Sequence, residues 1–317
     1  MKLKKIEIKE ILANYNLGEF KSFGKILKND TVSLSQIIET TKGKFFLKVF
    51  RNFGLSDKQG LIVMYRLKKQ GFPTFKVYST KKKKLFISYQ NNNIAIFEYV
   101  KIKEHTGWVS MNKEMIRDYA KTLAKFHVMT KNIKISQGER DDLSRLNRLA
   151  NIFYKKRMNY SKKYQIYLNF ILKEAKNIKI PKKEYTSGYY SEFNPGHVIF
   201  SKNKVKYVID WTIDKDKSFL DFGGSAAACF SLDGTKFSYE NFKEYVKSYD
   251  EVRKLSKWEK EHLYEAVKFG CLKYGLWAFA DINTKGMTKE KNLDQKDINK
   301  IQFIMDTPKE MFLKRLK

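Results

Sequence analysis

Apolar and polar positions alternate over Val32–Thr40 (VSLSQIIET), and Phe45–Phe50 (FFLKVF) is a dense apolar run. The polar turn Thr41-Lys-Gly-Lys44 joins the two, which predicts a β-hairpin with Lys48 projecting from its second arm. Next, Ser56–Gln70 carries helical spacing: Ser56 is placed to cap it, Ile62, Tyr65 and Leu67 fall on its apolar side, and Gly71-Phe-Pro73 ends it. Lys84–Tyr89 and Asn93–Tyr99 read as two further strands joined by Gln90–Asn92. From Met111 the period changes. Met111–Thr130, Leu143–Tyr160 and Lys162–Lys176 are amphipathic helices, as are Phe237–Leu255, Trp258–Phe279 and Gln295–Lys314. Between them, Ile178–Asp210 is broken into short extended pieces.

A strand-rich first hundred residues followed by helices is the pattern of an α+β protein. The division expected is a β-rich lobe over residues 1–100 and a larger helical lobe over residues 101–317, with a hinge near Glu98-Tyr99-Val100. The length of 317 residues suits two lobes, and 42% hydrophobic with 15% aromatic content suits a folded chain. No apolar run is long enough to span a bilayer, and the charged start Met1-Lys-Leu-Lys-Lys-Ile-Glu lacks the apolar core of a secretory signal. Cys229 and Cys271 sit in apolar helical surroundings and read as free thiols, so a cytoplasmic location is expected. The net charge of +30 is large. Its lysines are scattered over every segment and Arg is scarce, which speaks against a dedicated nucleic-acid interface. Docking of RNA on a basic surface remains an alternative to be tested by its salt dependence.

The chemistry concentrates in residues 185–224. Tyr190-Ser-Glu-Phe-Asn-Pro-Gly-His-Val-Ile-Phe200 leads into a short strand, a polar turn, Val205–Ile209 and then Asp210-Trp211. This order puts two carboxylates, Glu192 and Asp210, at one end of a β-hairpin. Phosphoryl transfer uses such a pair: one orients the attacking hydroxyl and the other holds a metal on the phosphates.

This segment resembles the small-molecule kinases related to aminoglycoside phosphotransferases, choline kinases and type II homoserine kinases, whose signature runs roughly His-Gly-Asp-Leu-His-Pro-Gly-Asn-Val-Leu-Phe and returns to Ile-Asp-Trp. Laid on without a gap, the resemblance puts the catalytic Asp at Glu192, the metal-binding Asn at His197 and the second metal Asp at Asp210. It also matches Lys48 to a phosphate-contacting lysine, Glu98-Tyr99-Val100 to an adenine-contacting linker, Leu123-Ala-Lys-Phe-His127 to a helix of the C-terminal lobe, and Asp221 to a structural acid. It covers roughly residues 15–285 and implies a two-lobe protein-kinase-like fold.

What the resemblance implies for function is an ATP- or GTP-dependent phosphotransferase using Mg²⁺ or Mn²⁺ on a hydroxyl of a small metabolite or antibiotic. Lys48, with Glu98 and Val100, would bind nucleotide; Asp210 and His197 would bind metal; Glu192 would be catalytic. Three positions depart from the signature, where Tyr190, Glu192 and His197 replace His, Asp and Asn. Glu192 is a methylene longer than Asp, and imidazole suits softer ions than Mg²⁺. These departures carry the alternative of a catalytically impaired nucleotide-binding or interaction module. The glutamate that pairs with the lysine in the family has no counterpart near Leu61–Leu67; Asp57, the nearby acid, lies a turn early. Elsewhere, His127 on an apolar face reads as structural, Asp221 as loop-bracing, Asp214 and Asp216 as solvated, and His105 and His262 carry no signal. Tyr274, Trp277 and Asp281 are candidates for lining an acceptor pocket. Neither the acceptor nor the oligomeric state is legible.

Overall fold

The computed structural model describes residues 3–29, 33–101, 111–137, 143–190, 192–230, 237–284 and 295–316. The chain divides into two compact units, residues 1–105 with 207–212, and residues 106–206 with 213–317.

The first unit begins with α1 (Lys5–Leu12), where the Ile8, Ile11 and Leu12 side chains share one buried face. Then follow β1 (Phe20–Asn29), β2 (Ser33–Thr40), β3 (Gly43–Phe50), α2 (Leu55–Lys69), β4 (Val77–Tyr78), β5 (Ile87–Tyr89) and β6 (Asn92–Glu98). The strands form one six-stranded antiparallel sheet in the order β1-β2-β3-β6-β4, with β5 pairing on β6. The expected hairpin is β2–β3, with Ser35 opposite Lys48 and Ile38 opposite Phe45; Val32 lies outside the described residues. Alternation puts Leu34, Ile38, Leu47, Val49, Ile94 and Ile96 on the sheet face that meets Ile8, Ile11 and Leu12.

Helix α2 differs from its sequence reading at two points. Gly54, not Ser56, is the cap position, and its N–H donates to the Asp57 carboxylate at 2.9 Å. The buried apolar side chains of α2 are Leu61, Val63, Met64 and Leu67, while Ile62 and Tyr65 are half-buried.

Residues 207–212 are built into this unit. Val208 donates its N–H to the Pro73 carbonyl at 2.8 Å and bridges Thr74 in parallel. Trp211 packs edge-on to Phe72 and donates its indole N–H to the Val208 carbonyl. Gly60 of α2 lies under the Trp211 carbonyl, and a Cβ there would come within 2.4 Å of that oxygen. Only glycine permits this approach of helix to strand end.

The second unit contains α3 (Lys113–Thr130), α4 (Leu143–Lys155), α5 (Lys162–Asn177), β7 (Thr186–Tyr189), β8 (Val198–Ser201), the start of β9 (Lys204–Val208, whose last two residues belong to the first unit), β10 (Asp214–Lys217), α6 (Ser218–Phe230), α7 (Tyr239–Val252), α8 (Lys257–Glu261), α9 (Leu263–Thr284), α10 (Gln295–Asp306) and α11 (Lys309–Leu316). Asn112 caps α3 by accepting the Met115 N–H at 3.0 Å. Two expected helices are split. His262 interrupts Trp258–Phe279, and Pro308, which cannot continue a helical hydrogen-bond ladder, separates α10 from α11. β8 and β9 form a hairpin, and β7 pairs with β10 antiparallel, Tyr189 facing Asp214.

That last pairing corrects one reading: Asp214 is 3% exposed, not solvated, because β10 is drawn onto β7. Helices α6 and α9 touch backbone to backbone, for a Cβ on Gly223 would lie 2.0 Å from the Ala266 carbonyl oxygen. Both cysteines are buried free thiols, each pushed up to about 12 by burial and so protonated. Among the described residues no helix is long and apolar enough to cross a membrane.

Candidate functional site

In the first unit the structure brings together Lys48 and Asp210, 162 residues apart. β3 projects the Lys48 ammonium to the Asp210 carboxylate at 2.7 Å, with the two side chains 21% and 40% exposed. The lysine also lies 5.0 Å from the centre of the Phe50 ring. Asp210 adopts φ +64, a left-handed conformation in which an L-residue is strained by about 1 kcal/mol or more. The hydrogen bonds of Val208 and Trp211 hold the flanking chain and so sustain this turn. No glutamate of α2 is needed to orient Lys48. Asp210 does so directly, while Asp57 accepts the Gly54 N–H at the helix start.

In the second unit the structure brings together Glu192 and His197. The turn that does this is built by Asn194, whose carbonyl oxygen Oδ1 accepts the Gly196 N–H, and by a 3₁₀ turn over Pro195–His197. His197 Nδ1 stands 3.1 Å from the Glu192 main-chain carbonyl and 3.6 Å from its carboxylate. A carbonyl only accepts, so Nδ1 carries a proton, and in the neutral imidazole the lone pair is the one on Nε2. Tyr190, at the position of the signature histidine, is 1% exposed and packs its ring between Phe126 and Phe193. It is a core residue.

Beneath this turn runs a buried hydrogen-bond chain. Glu259 takes both terminal nitrogens of Arg253, at 2.6 and 3.2 Å. Arg253 Nε donates to the Tyr249 hydroxyl at 2.6 Å. That hydroxyl meets His127 Nδ1, and His127 Nε2 meets the Asp221 carboxylate at 3.2 Å. Asp221 also accepts the Tyr190 N–H at 2.8 Å.

One polarity satisfies every link: Arg253 donates to Tyr249, Tyr249 to His127, and the Nε2–H of a neutral His127 to Asp221. Burial lowers the His127 pKa from 6.5, against the pull of Asp221. Burial also raises the Tyr249 pKa, keeping its hydroxyl protonated. Burial disfavours the Arg253 charge, but Tyr249 and Glu259 outweigh it and raise its pKa. His127 and Asp221 thus act as the structural pair expected of them, and they hold the backbone two residues before Glu192. Sequence reasoning missed Tyr249, Arg253 and Glu259. The i,i+4 spacing of Tyr249 and Arg253 and the Ser256-x-x-Glu259 capping box were the available signals.

The remaining candidates fall elsewhere. Glu98 uses its carboxylate to hold Lys68 at 3.0 Å and the Lys76 N–H at 2.9 Å, so its side chain ties β6 to α2. Val100 is half-buried past the strand end. Trp277 packs against the core formed with α4 and α5, and Tyr274 lies between Lys273 and Lys300, whose ammoniums sit 5.7 and 5.3 Å from its ring. The Asp281 side chain and His105 lie outside the described residues; His262 stacks on Trp258 at 4.2 Å.

A divalent metal, implied by the resemblance, finds fitting donors residue by residue. The Asp210 carboxylate is a hard oxygen donor suited to Mg²⁺ or Mn²⁺, and the Nε2 lone pair of His197 suits a softer divalent ion.

No protein-family model and no curated relative matches the sequence. Solved structures do match. A spectinomycin phosphotransferase in complex with ADP and spectinomycin is 12% identical, with TM-score 0.65 over 100% of this chain and 98% of its own. An amicoumacin kinase in complex with AMP-PNP and Ca²⁺ is 12% identical, with TM-score 0.69 over 95% and 96%. A choline kinase from Cryptosporidium parvum Iowa II is 11% identical, with TM-score 0.64 over 99% and 98%. The chain therefore has the protein-kinase-like fold of the aminoglycoside phosphotransferases and choline kinases, with a β-rich N-terminal part and a mainly helical C-terminal part, as its residue pattern leads one to expect.

Proposed function

We propose that the protein is a phosphotransferase that moves the terminal phosphoryl group of ATP or GTP to a hydroxyl of a small metabolite or antibiotic. The observation that carries this reading is the Lys48–Asp210 pair at 2.7 Å in a chain with the fold of small-molecule kinases. In this reading Lys48 neutralises nucleotide phosphate charge, and Glu98-Tyr99-Val100 offers main-chain groups to the base. Glu192 orients the acceptor hydroxyl and takes its proton. A bound divalent ion, held by Asp210 with His197, would supply charge neutralisation on the transferring phosphate. Nucleotide turnover across a panel of hydroxylated metabolites and antibiotics tests it, with Glu192→Ala and Asp210→Ala as the diagnostic variants. Equal turnover in the variants and the parent would overturn it.

A second reading, a nucleotide-binding module without efficient transfer, is favoured by one observation. The three altered positions Tyr190, Glu192 and His197 are engaged in local structure, Tyr190 in the core and His197 on the Glu192 main chain. Thermal stabilisation by nucleotide separates the two. Stabilisation that requires Mg²⁺ or Mn²⁺ favours the enzyme, and stabilisation indifferent to metal favours the module.

A further inference from the structure

The first unit carries a cleft of about 760 Å³ whose lining includes none of the residues proposed for phosphotransfer. This is within the range of small-molecule sites, roughly 300–1,000 Å³. Its floor is apolar: Leu61 and Ile62 of α2, and Leu85 and Phe86 of the segment before β5. Ile62 and Phe86 are half-buried side chains that the cleft leaves open. Its rim is basic, with Lys58, Lys81, Lys82 and Lys84 all exposed, and none of the thirteen lining residues is an acid.

The rim is built, not merely lysine-rich. The turn that bears three of these lysines is closed by main-chain bonds from Thr80 to the Lys84 carbonyl at 2.7 Å and from Lys83 to the Thr80 carbonyl at 2.9 Å. The Lys84 N–H is held by the Thr80 hydroxyl at 3.0 Å, and Lys81 is tied to the Asn14 carbonyl at 2.8 Å. Some lysines elsewhere in the chain are paired with carboxylates, such as Lys268 with Glu174 and Lys300 with Asp297. Among the described residues the four rim ammoniums have no carboxylate partner.

We propose that this cleft binds a small anionic amphiphile, an apolar body on Leu61, Ile62, Leu85 and Phe86 with its carboxylate among the rim lysines. The two halves of the lining demand both features. A free inorganic anion would leave the floor wet, and a neutral hydrocarbon would leave four like charges uncompensated. The cleft shares no lining residue with the groups assigned to phosphotransfer, so binding there stands or falls independently of that activity.

Decanoate, kept below micelle formation, is a suitable probe for calorimetric titration of the full chain at moderate salt. The expected result is saturable one-to-one binding, with slowed amide hydrogen exchange in residues 58–62 and 80–88. The double variant Lys82→Glu/Lys84→Glu should bind at least about tenfold more weakly. The exposed pair Lys21→Glu/Lys25→Glu on β1 should leave affinity unchanged. Absence of saturable binding, protection confined to other segments, equal affinity for decanol, or equal weakening by the control pair would overturn the proposal. Hydrogen exchange on the unaltered protein decides the matter even if a variant fails to fold.

Discussion

Replacing Tyr249 by Phe removes one oxygen and leaves the packing of the ring against Phe222 and Tyr245 intact. The hydroxyl accepts from Arg253 and donates to His127, so its loss orphans one buried donor and one buried acceptor. His127 cannot recover by changing tautomer. A proton on Nδ1 would leave Nε2 facing the Asp221 carboxylate, acceptor against acceptor. Arg253 keeps its two bonds to Glu259, so its charge stays paired. Each orphaned buried group costs about 1–3 kcal/mol, which puts the total near 2–6 kcal/mol. For a unit of roughly 200 residues that lowers Tm by about 5–20 °C. Calorimetry or a fluorescence melt of Tyr249→Phe against the parent measures it. The same variant loosens Asp221 and, through it, the Tyr190 main chain, so turnover should fall by about tenfold or more where positioning carries catalysis. A stability change under about 0.5 kcal/mol would refute the continuous hydrogen-bond chain from Glu259 to Tyr190.

Three further outcomes are expected. Lys48→Met leaves the Asp210 carboxylate without its 2.7 Å partner and should lower phosphate transfer by about a hundredfold, read as kcat/KM for nucleotide. Gly60→Ala sets a Cβ against the Trp211 carbonyl; the resulting strain of about 1–3 kcal/mol exceeds the helix-propensity gain of about 1 kcal/mol, so the variant should melt below the parent. His127 is neutral in the fold because burial depresses its pKa below 6.5. The unfolded chain therefore takes up the proton first, and stability is full above pH 6.5 and lost as pH falls from there to the folded value. His127→Gln should flatten that limb of the stability–pH profile.

The parts of the fold legible in the sequence were those whose burial is local. The β2–β3 hairpin alternates because one face of its sheet is buried, and α3 shows its apolar stripe because one side meets the core. Elements fixed by distant partners were not legible. β10 reads as a solvated run, Asp-Lys-Asp-Lys, until β7 supplies its ladder. In α1, Ile6 and Ile8 mimic strand alternation, although the helix buries Ile8, Ile11 and Leu12 together. The sequence placed Lys48 and Asp210 in one function but not in one ion pair, because the family pattern directs attention to a helix glutamate that α2 does not contain. The sequence marked His127 and Asp221 as structural but not the partners Tyr249, Arg253 and Glu259 that join them in one chain, because those partners are brought in from α7, its C-terminal end and α8.

The most direct measurement follows a labelled terminal phosphate from ATP or GTP to an acceptor hydroxyl, in the presence and absence of Mg²⁺ or Mn²⁺, for the parent chain, Glu192→Ala and Asp210→Ala. Metal-dependent label on the acceptor with the parent, and its loss in both variants, is the predicted result. Label transfer that persists unchanged in the two variants, or nucleotide binding with no transfer to any acceptor under any metal, would contradict the account.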